Sequence, residues 1–162
     1  MATLILFNSA LLLLIAALLI AAGKWVRSER ARRFALLIAP LVTIAVHYSS
    51  FFYHLIFTGE AIAYLADTPN LILPIYPCNV VMWCALFYGL FANKNGKFAL
   101  LLSDYVFWFG LVSTLVGMFA NVDFINNPTL ADYENFKSIV AHATLLFNDL
   151  LLVLFEIGRA HV

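Results

Sequence analysis

Five runs of apolar residues, at positions 4–22, 34–57, 71–92, 98–120 and 138–155, constrain this chain more than anything else in it. At 1.5 Å of rise per residue each can cross a hydrocarbon core of ~30 Å, the last being the shortest. Apolar residues make up 64% of the sequence and charged residues only 11%. Soluble domains hold roughly 45–50% and about 25%, and could not bury so much apolar surface. The expected class is therefore all-α: a polytopic transmembrane helix bundle, one domain over residues 1–155. The first run has no basic residue ahead of it and a basic cluster directly after it, which is the pattern of a retained helix and not of a cleaved leader.

The charges between the runs assign an orientation. Lys24, Arg27, Arg30, Arg32 and Arg33 fall in the first loop, and Lys94 and Lys97 in the third. The second loop carries Glu60 and Asp67 without a basic residue, and the fourth carries Asp123, Asp132 and Glu134 against Lys137 alone. Lys and Arg resist translocation, so the first and third loops are expected in the cytoplasm and the N-terminus, second and fourth loops outside. Asn95-Gly96 and Asn126-Asn127-Pro128 are turn signals in the third and fourth loops. Nine basic and nine acidic residues cancel, which leaves no bulk field for nucleic acid, and a membrane lipid is the expected partner. A cell membrane is the expected location if the source is prokaryotic.

Residues 157–162 back-translate to ATC GGA AGA GCA CAC GTC, which resembles the start of a common sequencing adapter, with the preceding AG supplying part of a Glu codon. Residues 156–162 are accordingly expected to be a non-native tail, and Arg159 and His161 are given no role.

Ionisable and polar groups inside apolar runs need a partner or a purpose. The second run places Thr43, His47, Ser50 and His54 on one helical face. That stripe can line a cavity or proton path, or can bond to neighbouring helices as packing glue. The third run opens Leu73-Pro74-Ile75-Tyr76-Pro77-Cys78-Asn79. Pro77, lacking an N–H, is expected to bend the start of that helix and free the carbonyl near Leu73. Cys78 follows the bend, either as a small buried hydrophobe or as a nucleophile. Cys84, six residues on, points about 120° away, which excludes a disulfide within the helix.

The fifth run carries Ser138, His142 and Asp149 on one face, with Asn148 off it. Counting from the outer ends of their helices, Cys78, His54 and His142 reach similar depth, where an imidazole could take the thiol proton. Thr144 or Ser138 could satisfy His142 instead. Asp149 near the midplane and Asp104 near the inner side are candidates for proton handling or, preferred for both, for structural pairing, Asp149 by orienting His54 or His47. A haem between His47 and His54 is disfavoured because seven residues separate them by ~10 Å along one face. No metal or other cofactor is expected.

These motifs resemble a family of integral membrane proteins, the bacterial YwaF proteins and their eukaryotic relative, transmembrane protein 164. The likeness rests on Leu73-Pro74-Ile75-Tyr76-Pro77-Cys78 in the third run and on Ala141-His142-Ala143 in the fifth. It covers about residues 33–155, while Ala120-Asn121-Val122-Asp123 departs from the family's Thr-Pro. The resemblance implies a six-helix bundle of which five helices are present here. For the eukaryotic member it implies a cysteine acyltransferase acting between phospholipids, with Cys78 as nucleophile and His142 as general base by correspondence. Asn79 or Tyr76 could then donate to the oxyanion. The alternative is a binding or transport module built on Thr43, His47, Ser50 and His54 with Asp149, and the bland reading is a scaffold whose polar groups only pack helices.

The loop charges predict that a reporter active only in the cytoplasm works when fused after Arg33 or Lys97 and fails when fused near Asp67 or Asn127. The reverse pattern of activity overturns the orientation.

Overall fold

Backbone N–H and C=O groups in so apolar a chain are best satisfied within their own segment, and the described residues are helix and connection without a strand. The computed structural model describes residues 2–91, 96–120 and 122–157, and the side chains of these except 122, 123, 156 and 157. The turn expected at 93–95 and most of the expected tail lie outside the described residues. In chain order the helices are α1 (Ala2–Trp25), α2 (Glu29–Tyr53), α3 (Ala61–Asp67), α4 (Pro77–Phe91), α5 (Lys97–Phe119), α6 (Val122–Asn126) and α7 (Tyr133–Ile157). The all-α bundle is thus observed. Among the described residues four stretches are long and apolar enough to cross a membrane: Ala2–Trp25, Glu29–Thr58, Lys97–Asn126 and Tyr133–Phe155.

The boundaries follow from local chemistry. Ser28 caps α2 by accepting from the Ala31 amide at 3.2 Å. Beyond Tyr53, α2 widens into a π-turn over His54–Thr58 and stops at Gly59, whose φ of 72° suits a residue without a Cβ. Asp132 caps α7, its carboxylate accepting from the Asn135 amide at 3.1 Å. α7 therefore begins at Tyr133, earlier than the 138 expected from hydropathy, and takes Glu134 and Lys137 into the helix.

The third apolar run departs most from expectation. Instead of a membrane-length helix over 71–92 there is a 3₁₀ turn at Pro69–Leu71, an irregular stretch, and then α4 of 15 residues, about 22 Å long. Pro77 does not bend a helix; it begins one, at the first position, where its missing N–H costs nothing and its fixed φ is already helical. The Leu73 carbonyl is not freed either, because it accepts from the Ile75 amide at 2.8 Å.

α7 is the central element: half of its membrane-length window is buried, against 17–28% for the other three spans. α1, α2, α4 and α5 all pack on it, and α4 also fills the space between α2 and α5. Val81, Met82, Ala85, Val106 and Leu145 form the core where α4, α5 and α7 meet. α1 is held by Ile15 against Met118, Ala143 and Leu146, and by Asn8, fully buried, whose amide donates to the Met118 carbonyl at 2.6 Å.

Close backbone approach is required at Gly89, where a Cβ would stand 2.7 Å from the Leu36 carbonyl oxygen of α2. Gly89→Ala is expected to lower stability by about 1–3 kcal/mol through overpacking. Gly23→Ala, where a Cβ meets only Leu154 at 3.8 Å, should be neutral or slightly stabilising. Thermal unfolding of the two variants in detergent checks the contrast.

Candidate functional site

The residues that sequence reasoning singled out divide between two places. Thr43 and His47 of α2, Cys78, Asn79 and Met82 of α4, and Ala141, His142 and Leu145 of α7 line one small cavity of about 30 Å³, room for a water molecule. Cys78 and His142, expected on separate helices at matching depth, are thus neighbours around one space. Both line it although Cys78 lies in the first turn of its helix and His142 well inside its own, because α4 starts late, after the irregular stretch.

Thr43, His47, Asn79 and His142 of this cavity each bond to a backbone carbonyl. Nδ1 of His142 lies 2.7 Å from the Ser138 carbonyl oxygen. A carbonyl only accepts, so Nδ1 carries the hydrogen and Nε2 of the neutral ring is left as an acceptor. The ring lies flush against α5 at Gly117, where any Cβ would overlap its Cδ2 and Nε2. The Cys78 thiol points to Asn79 Oδ1 at 3.7 Å, the Cys78 backbone N–H faces its own sulfur, and the Asn79 backbone N–H donates to the Tyr76 carbonyl at 3.0 Å.

The irregular stretch before α4 would strand carbonyl groups, and two predicted residues answer them. His47 Nε2 donates to the Leu71 carbonyl at 3.1 Å, and the Asn79 amide donates to the Asn70 carbonyl at 2.7 Å. Both therefore hold the loop that delivers Cys78. Thr43 accepts from the Asn148 amide at 2.8 Å, which ties α2 to α7.

His54 and Ser50 are not at this cavity. They belong to a cluster around Glu134, a residue that hydropathy had placed in a loop. Glu134 Oε2 accepts from Ser50 Oγ and from the Tyr64 hydroxyl, each at 3.0 Å, and pairs with Lys137 Nζ at 3.0 Å. His54 Nε2 stands 3.4 Å from Oε1, close enough for an ion pair but without hydrogen-bond geometry. Two stacked ring pairs flank the acid: His54 on Tyr64 with centroids 3.9 Å apart, and Tyr53 on Tyr133 at 4.1 Å. Burial holds the Tyr64 phenol above the ordinary tyrosine range, so it remains a donor to Glu134 at neutral pH. The signal that could have found Glu134 was Asp132, an N-cap residue just ahead of the apolar run.

Asp149 reaches neither His47 nor His54. It is fully buried against α5, where a Cβ at Gly110 would overlap its carboxyl group, and neither oxygen has a hydrogen-bond partner. Asp104 is exposed on the outward face of α5. Among the described residues no group of His, Cys, Asp or Glu could hold a metal ion. Cys78 and Cys84 are both free thiols. Compared with known proteins, the chain matches no family model, no curated protein and no solved structure.

Removing the Glu134 carboxylate leaves Lys137, only 12% exposed, without its counter-charge. Glu134→Ala is expected to cost about 2–4 kcal/mol, and Lys137→Ala added to it should restore part of the loss. A double-mutant cycle on unfolding in detergent measures the coupling.

Proposed function

We propose that this chain is a multi-pass membrane protein of the YwaF and transmembrane protein 164 kind, and that it moves acyl groups between lipids through Cys78 and His142. The observation that carries the reading is the cavity shared by the Cys78 thiol and the His142 ring, with Nε2 of that ring left as an acceptor. The four membrane-length helices supply the setting. The N-terminus and the Cys78 side of the bundle face outward in this proposal, as the loop charges require.

In the proposed step His142 Nε2 takes the Cys78 proton and the sulfur attacks the ester carbonyl carbon of a phospholipid. The S–C bond forms, the ester C–O bond breaks, and the imidazolium returns its proton to the departing alkoxide. A hydroxyl of a second lipid then attacks the thioester, His142 again taking and returning the proton. Negative charge on the carbonyl oxygen would fall near the first turn of α4, where the Cys78 N–H faces the sulfur. The Asn79 side-chain amide already donates to Asn70 and its backbone N–H to the Tyr76 carbonyl, so the Cys78 N–H is the better oxyanion donor. A cavity of about 30 Å³ cannot hold an acyl chain. The donor would instead lie along Ile72, Leu73, Ile75 and Tyr76, which are exposed directly ahead of Cys78 and more than half accessible.

One observation favours a second reading, a proton or small-ligand path. The Lys137 ammonium is near enough to act electrostatically on both His47 and His142, so polar groups run from Glu134 to the cavity.

Labelling by a thiol-reactive lipid or acyl-phosphonate probe in membranes separates the two. Acyl transfer predicts labelling at Cys78 that Cys78→Ala abolishes, that His142→Ala slows by about 10²-fold or more, and that Cys84→Ala leaves unchanged. A folded protein that stays unlabelled at Cys78 overturns the enzyme reading and leaves the path.

A further inference from the structure

α1 and α2 both lean on α7 and scarcely touch each other, so a groove of about 510 Å³ opens between them with α7 as its floor. Leu11, Leu18 and Ala22 of α1, Ile38 of α2 and Phe147 of α7 line it, and its exposed surface is almost wholly apolar. From Leu11 to Ala22 it runs ~17 Å along α1, about the depth of one leaflet of a ~30 Å hydrocarbon core. Val26 and Phe34 form one end. There the connection between α1 and α2 gathers Lys24, Arg27, Arg30, Arg32 and Arg33 against the single acid Glu29.

Not all of these cations are free to bind. Glu29 holds Arg33 at 3.3 Å, and Arg32 donates to the Val26 carbonyl while lying over the Phe155 ring. Arg27 spends its Nε on the Lys24 carbonyl and keeps its other N–H groups. Lys24 and Arg30 are exposed and have no side-chain acceptor among the described residues. Trp25, 82% exposed between the groove and these charges, belongs at the level where hydrocarbon gives way to head groups.

An apolar slot one leaflet deep that ends in unpaired cations fits an amphiphile with an anionic head. We propose that the groove between α1, α2 and α7 binds one anionic phospholipid from the leaflet facing residues 24–33. An acyl chain occupies the groove, and the phosphate sits on Lys24, Arg27 and Arg30. The site lies on the opposite side of the α2–α7 contact from the Cys78 cavity. It requires the chain to sit in a bilayer but not that Cys78 reacts, so the labelling experiment and this one fail independently.

The test is lipid retention by the purified full chain in detergent, read by native mass spectrometry with phosphatidylglycerol and phosphatidylcholine of identical acyl chains. The expected result is about tenfold or greater preference for phosphatidylglycerol, falling towards unity in the combined K24Q, R27Q and R30Q variant and at high salt. A photo-crosslinking acyl chain on phosphatidylglycerol should map to α1 and α2 around Leu18 and Ile38. Filling the groove by Ile38→Trp, at a position already 39% exposed, should reduce that crosslink. The salt arm reads wild-type protein and so does not depend on the variants folding. Equal retention of the two lipids, a preference that survives high salt, or crosslinks spread over the outward face of α5 overturns the proposal.

Discussion

The contact between α5 and α7 governs the geometry of everything polar in this bundle. Where α5 presents Gly110, the Asp149 carboxyl fits against its backbone; one heptad on, Gly117 admits the His142 ring in the same way. Between them Thr114, fully buried, returns its hydroxyl to the Gly110 carbonyl. In apolar surroundings helices gain little from excluding water and adhere through close packing, so small residues at an interface set how near two helices come. Here that nearness fixes the rotation of α7, which sets the His142 ring against Gly117 at the edge of the cavity shared with α4 and carries Asn148 to Thr43.

A second constraint acts on α4. Prolines at 69, 74 and 77 deny the chain a continuous helix, and every carbonyl left outside one must find a donor. Thr68, Pro69 and Leu73 carbonyls are met by local amides, while those of Asn70 and Leu71 are met by Asn79 and His47. The polar stripe of α2 is thereby explained piece by piece. Thr43 joins α7, His47 props the loop, and Ser50 and His54 face Glu134. Substituting His47 or Asn79 would disturb the loop that delivers Cys78 before it disturbed any chemistry, which is why rates at Cys78 must be read beside a measure of folding.

What was legible in the sequence depended on the range of the physics involved. The apolar runs and the all-α class are written in composition and length, which need no knowledge of neighbours. Cys78 and His142 were read at similar depth on helices whose starts were misplaced, and they line one cavity. α4 begins later and α7 earlier than hydropathy implied, and the two shifts act on different helices without separating the pair. Hydropathy averages over a window and cannot see a single capping carboxylate, so Asp132 was passed over and Glu134 was left in a loop. For Asp149 both proton handling and a histidine partner stood open, because helical periodicity gives a direction only relative to its own helix. Which neighbour stands there, here a glycine of α5, is a tertiary fact.

The same limit explains why the groove escaped notice. Each of α1, α2 and α7 reads as an ordinary apolar helix, and nothing local distinguishes a side chain that meets another helix from one that faces lipid. The gap exists because α1 is anchored elsewhere, through Asn8 to Met118 and through Leu4 to Phe124 and Ile139, at the end of the bundle away from the basic connection. Held there and joined to α2 by a short link, α1 lies along α7 without closing against α2. The fully buried Asn8 is thus a polar fastening that gives α1 its place, and the separation of α1 from α2 follows from where that fastening lies.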